Sequence, residues 1–152
     1  MPLRKRPHME WKGTALISSA IAAGGSLVTV VVGNADMDQF TRPTLMRLRG
    51  SWGVNVEAVG VGMAFCGVCL YPNRSVASPP LPGADFDFPW LWQQGMFIDA
   101  NAGAFATSLN IDIIDSKARR RVVEDEVLLC ILTGGGLATK QGFNLRALFS
   151  QG

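Results

Sequence analysis

A chain of 152 residues, 48% of them hydrophobic, is long enough to build one domain with a sizeable core. Its 17% charged residues fall below the roughly 25% usual for soluble domains, which suits a surface partly covered by other copies or partners. A net charge of +2 is too weak to imply nucleic acid by itself, and three cysteines exclude a complete set of intrachain disulfides, so synthesis in a reducing cytoplasm is expected.

Residues 1–13 read as a basic, proline-punctuated N-terminal arm. Pro2 and Pro7 forbid a regular helix, and Arg4, Lys5 and Arg6 make a small cationic cluster. The arm reads equally as a solvated terminus or as a reach toward a neighbouring subunit or polyanion; Trp11 favours burial somewhere. The basic start superficially resembles a signal peptide, but Trp11, Lys12 and Gly13 stand where the apolar region should begin. Residues 14–32 come closest to a membrane span. Ser18, Ser19, Gly24, Gly25, Ser26 and Thr29 interrupt them well short of the about 18 apolar residues needed, so no membrane span is expected.

Residues 14–152 are expected to form a single β domain. Residues 14–23, the Gly24-Gly25 turn and the β-branched run Leu27 to Val32 predict a hairpin. Asp36 to Phe40 suggests one short helical turn. The stretch from Thr44 to Tyr71 organises the domain. Leu45, Arg47 and Arg49 alternate with Met46 and Leu48; after Gly50-Ser51, Trp52, Val54, Val56 and Ala58 share a face opposite Asn55 and Glu57. Val59 to Tyr71 is almost wholly apolar, with Gly60, Gly62 and Gly67 placed where a ring or another backbone comes close. The two halves are expected to be adjacent strands at the centre of a sheet.

Residues 72–89 form a long connection with five prolines (Pro72, Pro79, Pro80, Pro82, Pro89), read as a functional loop or an arm over a surface. Trp90 to Ile98, Ala104 to Asp115, Glu126 to Thr133 and Phe143 to Phe149 complete about eight strands, the spacing of a β-sandwich or jelly-roll-like fold. Trp90 and Trp92 are expected on one strand face, and Gly134-Gly135-Gly136 as a hairpin tip.

Chemical constellations are sparse. Cys66-Gly67-Val68-Cys69 lacks the helix start of a redox dithiol, and thiols three apart on a strand face opposite sides, so buried free thiols are the simpler reading. A structural zinc needs four ligands, and His8 and Cys130 are all that remain. His8 is the sole histidine and lies in the arm, which removes triads and histidine general bases. Asp85 and Asp87 alternate with Phe86 and Phe88 and lack calcium-loop spacing. No catalytic, metal or cofactor site and no small-molecule substrate is expected. Arg119, Arg120 and Arg121 precede Glu124, Asp125 and Glu126, which reads as a self-complementary face or as a contact for polyanion.

The Arg47-Leu48-Arg49-Gly50 strand, the Asp85…Asp87…Trp90-Leu91 stretch and Ile114-Asp115-Ser116-Lys117-Ala118-x-Arg120 fall in an order similar to that of small virion structural proteins of bacteriophages and related environmental viruses. The resemblance covers about residues 11 to 149 and includes coat and capsid-decorating (cement) proteins. It implies an all-β homo-oligomer of the virion that binds copies of itself and another capsid protein. Trp11, Phe86, Phe88, Trp90 and Trp92 are the interface anchors expected on that reading. Arg4, Lys5, Arg6, Arg119, Arg120 and Arg121 are its basic contacts to protein or nucleic acid. A non-catalytic glycan-binding sandwich using Trp90, Trp92 and Asp85 is the alternative.

Overall fold

The structure is a computed structural model that describes residues 8–14, 16–37, 40, 42–56, 59–73, 79–84, 87–101, 103, 105–113 and 120–151. Ten strands and one 3-10 turn appear among them. The strands are β1 (Met9–Gly13), β2 (Ile17–Ile21), β3 (Ser26–Val32), β4 (Pro43–Val56), β5 (Val61–Pro72), β6 (Trp92–Asp99), β7 (Phe105–Ile113), β8 (Arg120–Arg121), β9 (Glu126–Gly134) and β10 (Thr139–Gln151). The 3-10 turn spans Asn34–Met37, beginning two residues ahead of the short helical turn expected over Asp36 to Phe40. The expected basic arm reaches into the sheet, because Met9–Gly13 is already a strand. Arg4, Lys5, Arg6, Asp85, Phe86 and Arg119 lie outside the described residues.

All pairings are antiparallel and fall into two sheets. In the first, β1 and β2 both pair with one edge of β10, β10 pairs with β4, and β7 and β8 both pair with the far edge of β4. The second runs β3-β9-β5-β6. Taking β1/β2 and β7/β8 as two interrupted rows leaves eight rows. Numbered along the chain, they are ordered 1-8-3-6 in the first sheet and 2-7-4-5 in the second. That is the strand order of a jelly-roll sandwich.

The local chemistry explains these elements. Inward positions of the first sheet carry Trp52, Phe143, Leu145, Phe149, Leu45 and Leu48, all nearly inaccessible. They meet Ala64, Cys66, Val68, Ile98, Leu128 and Leu132 of the second sheet in one core. Each such aliphatic or aromatic side chain contributes about 1.5–3 kcal/mol of transfer free energy. Buried on both faces, β9 is apolar at almost every position, as a strand covered on both sides must be.

Several sequence expectations are corrected. Residues 17–21 and 26–32 do not pair as a hairpin: β2 joins β10 and β3 joins β9, so Gly24-Gly25 carries the chain from one sheet to the other. The Gly134–Gly136 segment is likewise a crossing between sheets, linking β9 to β10, and not a hairpin tip. The two crossings are stitched together at one corner, where the Gly24 amide donates to the Gly134 and Gly135 carbonyls and the Gly134 amide donates to Gly25. Gly24 has a φ of +72°, a conformation that glycine adopts without a Cβ penalty.

The two halves of residues 44–71 are not neighbours in one sheet either; β4 and β5 lie in opposite layers. The first of them runs unbroken through Gly50-Ser51. Its alternation shifts phase at Met46, where Phe149 pairs with Leu45 and Leu148 with Arg47. That bulge turns both Leu45 and Leu48 inward, which strict alternation forbids. A second bulge at Val31 does the same for Val31 and Val32.

Candidate interaction surfaces

The described part of the proline-rich connection, residues 79–84 and 87–89, forms a strap on the outside of the second sheet. Phe88, Trp90 and Tyr71 pack over Cys69, Val127, Leu129 and Ile131 in a second, smaller apolar cluster. Phe88 and Trp90 meet edge to face at 5.0 Å, a favoured aromatic arrangement. The sequence makes room for the strap with glycine: a Cβ on Gly67 would lie 2.6 Å from the Trp90 ring and 2.8 Å from Pro82. Leu91 N–H donates to Val68 O at 2.9 Å, and Gly83 N–H donates to Gln93 Oε1 at 2.8 Å. Trp90 and Trp92, expected on one face, are separated: Trp90 belongs to the outer cluster, whereas Trp92 packs against the main core, 6.3 Å from Trp52. The physical reason is that β6 begins only at Trp92, so no strand periodicity links the two rings.

Part of the exposed apolar surface lies at the edges of the same sheet. Val28 and Val30 on edge strand β3 are 41% and 51% accessible, and Phe97 on the opposite edge strand, β6, is 62% accessible. Val61, in the outward register beside it, is also exposed. Sequence reasoning identified these strands but not these residues, because periodicity cannot tell an edge from a centre. Open edges carrying apolar side chains are sites of association unless blocked.

The outer face of the first sheet is polar and cationic. Trp11, 38% accessible, lies under the Arg146 guanidinium, which is 5.6 Å from the ring centroid. Arg146 is directly opposite Arg49 on β4, and Arg49 is opposite Asp112 on β7. Asp112 is already engaged: both its oxygens accept from Arg47, at 2.9 Å and 2.8 Å. That fork holds the Asp112 carboxyl below its ordinary value and raises Arg47. Alternation along β4 puts Arg47 and Arg49 on one side; Arg146 joins them only through the β4–β10 register, a non-local fact.

At one end of the sandwich, Arg120 donates to the Glu126 carboxylate, whose other oxygen accepts from Val123 N–H at 2.9 Å. Part of the charge in the 119–126 run is thereby neutralised within its own turn. Arg121 is exposed and lines a cleft of about 690 Å³ with Arg42, Phe40 and Glu124. His8 contacts Glu10 at 3.3 Å and stacks at 5.7 Å against Phe40.

The three cysteines are free and buried. Cys66 and Cys69 face opposite sides of β5, as their spacing requires: Cys66 meets Cys130 in the main core at an Sγ–Sγ distance of 3.7 Å, and Cys69 lies beneath the strap. Burial pushes both thiols up, Cys69 to about 12, which suppresses the reactive thiolate. Among the described residues no group of three or more His, Cys, Asp or Glu could hold a metal, and no helix is long and apolar enough to cross a membrane.

The molecule is thus an all-β, two-sheet jelly-roll sandwich. No protein-family model matches the chain, and no curated protein matches it. Among solved structures it is similar to a chain of Desmodium yellow mottle tymovirus, at 9% identity and a TM-score of 0.37, covering 99% of this chain and 91% of that one. A chain of turnip yellow mosaic virus is similar at 10% identity and a TM-score of 0.36, with coverages of 94% and 81%. The decameric BFDV capsid protein is similar at 10% identity and a TM-score of 0.41, with coverages of 97% and 100%.

Proposed function

We propose that this chain is a virion structural protein, a jelly-roll subunit that assembles in many copies as a coat protein or as a decoration (cement) protein of a bacteriophage or related environmental virus. The observation that carries the reading is the pair of apolar edges on the second sheet. Val28 and Val30 at one edge and Phe97 at the other are exposed on strands whose outer backbone groups are open to another chain. The eight-row strand order supports it by analogy, since jelly rolls are frequent in viral capsids.

Assembly would bury those edges, with the rim of the strap around Phe88 and Trp90 as a further contact. Partners would be copies of the chain and another capsid protein; the virion would be its location. Nothing in this mechanism calls for catalysis.

A glycan-binding module is less well supported. It needs Trp90 and Trp92 as a common platform, and they occupy different clusters on opposite sides of the second sheet. Light scattering on the purified chain, across salt and concentration, tests the assembly reading. Discrete oligomers or shells are expected. A monomer at every concentration would overturn it.

A further inference from the structure

The outer face of the first sheet gathers cationic side chains on adjacent strands. Arg49 and Arg146 stand directly opposite one another on neighbouring strands, where like charges destabilise a sheet. Asp112, directly opposite Arg49 and lining the same depression, offsets part of this charge, while both its oxygens accept from Arg47, so the face keeps a cationic excess. Lys140 adds a further exposed cation on the outward register of β10, across from Asn55. In the next outward row of the register, Ser51, Asn110 and Asn144 line a shallow polar depression beside the two arginines and Asp112. Asn144 is held in place there, its side-chain oxygen accepting from Ser51 N–H and its nitrogen donating to Ser51 Oγ, both at 3.1 Å. Beside this depression, an exposed indole sits against the Arg146 guanidinium.

We infer that this face binds single-stranded nucleic acid, with backbone phosphates bridging Arg49 and Arg146 and a base stacking on Trp11. A phosphate between the two guanidiniums removes the repulsion that the fold leaves in place, and guanidinium forks match phosphate oxygens. The indole makes the difference between nucleic acid and a generic anion. A cationic track ending in an exposed aromatic ring is the arrangement that takes unpaired bases without sequence preference. The flat, strand-built surface also suits a flexible single strand better than a rigid duplex. The site is built from residues other than Arg4, Lys5 and Arg6, and it does not depend on assembly.

The test is fluorescence anisotropy with a labelled single-stranded oligonucleotide of about 16 nucleotides, titrated with the full chain at several salt concentrations. Tryptophan quenching is followed in parallel. Binding should weaken steeply with salt. Arg49→Glu and Arg146→Glu should each lower the salt slope by about one and lower affinity. Trp11→Ala should weaken binding by about ten- to a hundredfold and abolish most of the quenching. Arg49→Gln and Arg146→Gln provide the same comparison if the charge reversals alter the thermal midpoint. The Arg4-Lys5-Arg6 cluster is intact in every variant, so binding that persists unchanged in Arg49→Gln/Arg146→Gln assigns the contact to that cluster and overturns the proposal. Equal affinity for heparin, with Trp11→Ala indistinguishable from the parent, would show a generic polyanion surface and overturn it too. No binding at low salt has the same consequence.

Discussion

The Trp52 indole N–H donates to Gln141 Oε1 at 3.0 Å, and neither residue has any accessible surface. The same Gln141 side chain donates to Thr133 O and to Thr139 Oγ1, both at 2.9 Å. One amide therefore joins the two central strands of the first sheet, β4 and β10, to β9 of the second. Gln141→Leu fills similar volume but leaves the indole N–H and the Thr133 carbonyl without this partner. It should cost about 2–4 kcal/mol, readable from denaturant unfolding. Trp52→Phe in the Gln141→Leu background should recover part of that loss, because it removes the orphaned donor. A Gln141→Leu protein as stable as the parent would contradict this account.

Gly67 is the floor on which the strap rests. Gly67→Ala pushes a methyl to within 3 Å of both Trp90 and Pro82. The expected cost is about 1–3 kcal/mol, together with faster proteolysis between residues 79 and 91. Proteolysis of the strap at the parental rate would show that it is not seated there.

The thiols report on the core. With Cys66 raised by burial and by the Cys130 thiol, and Cys69 raised by burial to about 12, none should be alkylated in the native protein at about pH 8. All three should react after denaturation. The sign of the pH dependence follows. Above the ordinary thiol value of 9.0, the unfolded chain releases protons that the native chain retains, so stability falls as pH rises from 9.0 toward 12. Stability that stays flat across that window contradicts the burial of Cys69.

Asp112 behaves in the opposite sense. Its native carboxyl is held below the ordinary 3.8 by hydrogen bonding to Arg47, so its contribution is present above 3.8 and is lost as pH falls through the depressed native value. Asp112→Asn should flatten that part of the acid-unfolding curve. It should also strengthen oligonucleotide binding, because Arg47 joins Arg49 and Arg146 as a free cation.

Much of this architecture was legible in the sequence, and the residues show why. The β class followed from β-branched runs such as Leu27 to Val32. Gly67 was legible as a place where a ring approaches, and the opposite faces of Cys66 and Cys69 followed from period two. Partner choice was not legible. Gly24-Gly25 has the composition of a tight hairpin turn, yet it carries the chain between layers, because β10 and β9 lie in different sheets and claim β2 and β3 separately. The bulge at Met46 was hidden because the residue it skips is itself apolar. The Arg49–Arg146 pair is separated by most of the chain, so only the register of β4 on β10 reveals it.

Association through the edges of the second sheet is tested best by direct imaging. Electron microscopy of the concentrated chain should show rings, shells or other discrete assemblies of uniform size. Val30→Lys/Phe97→Lys, altering only exposed positions, should abolish them without lowering the thermal midpoint. A field of single monomeric particles for the parent chain, up to its solubility limit, would contradict association through these edges.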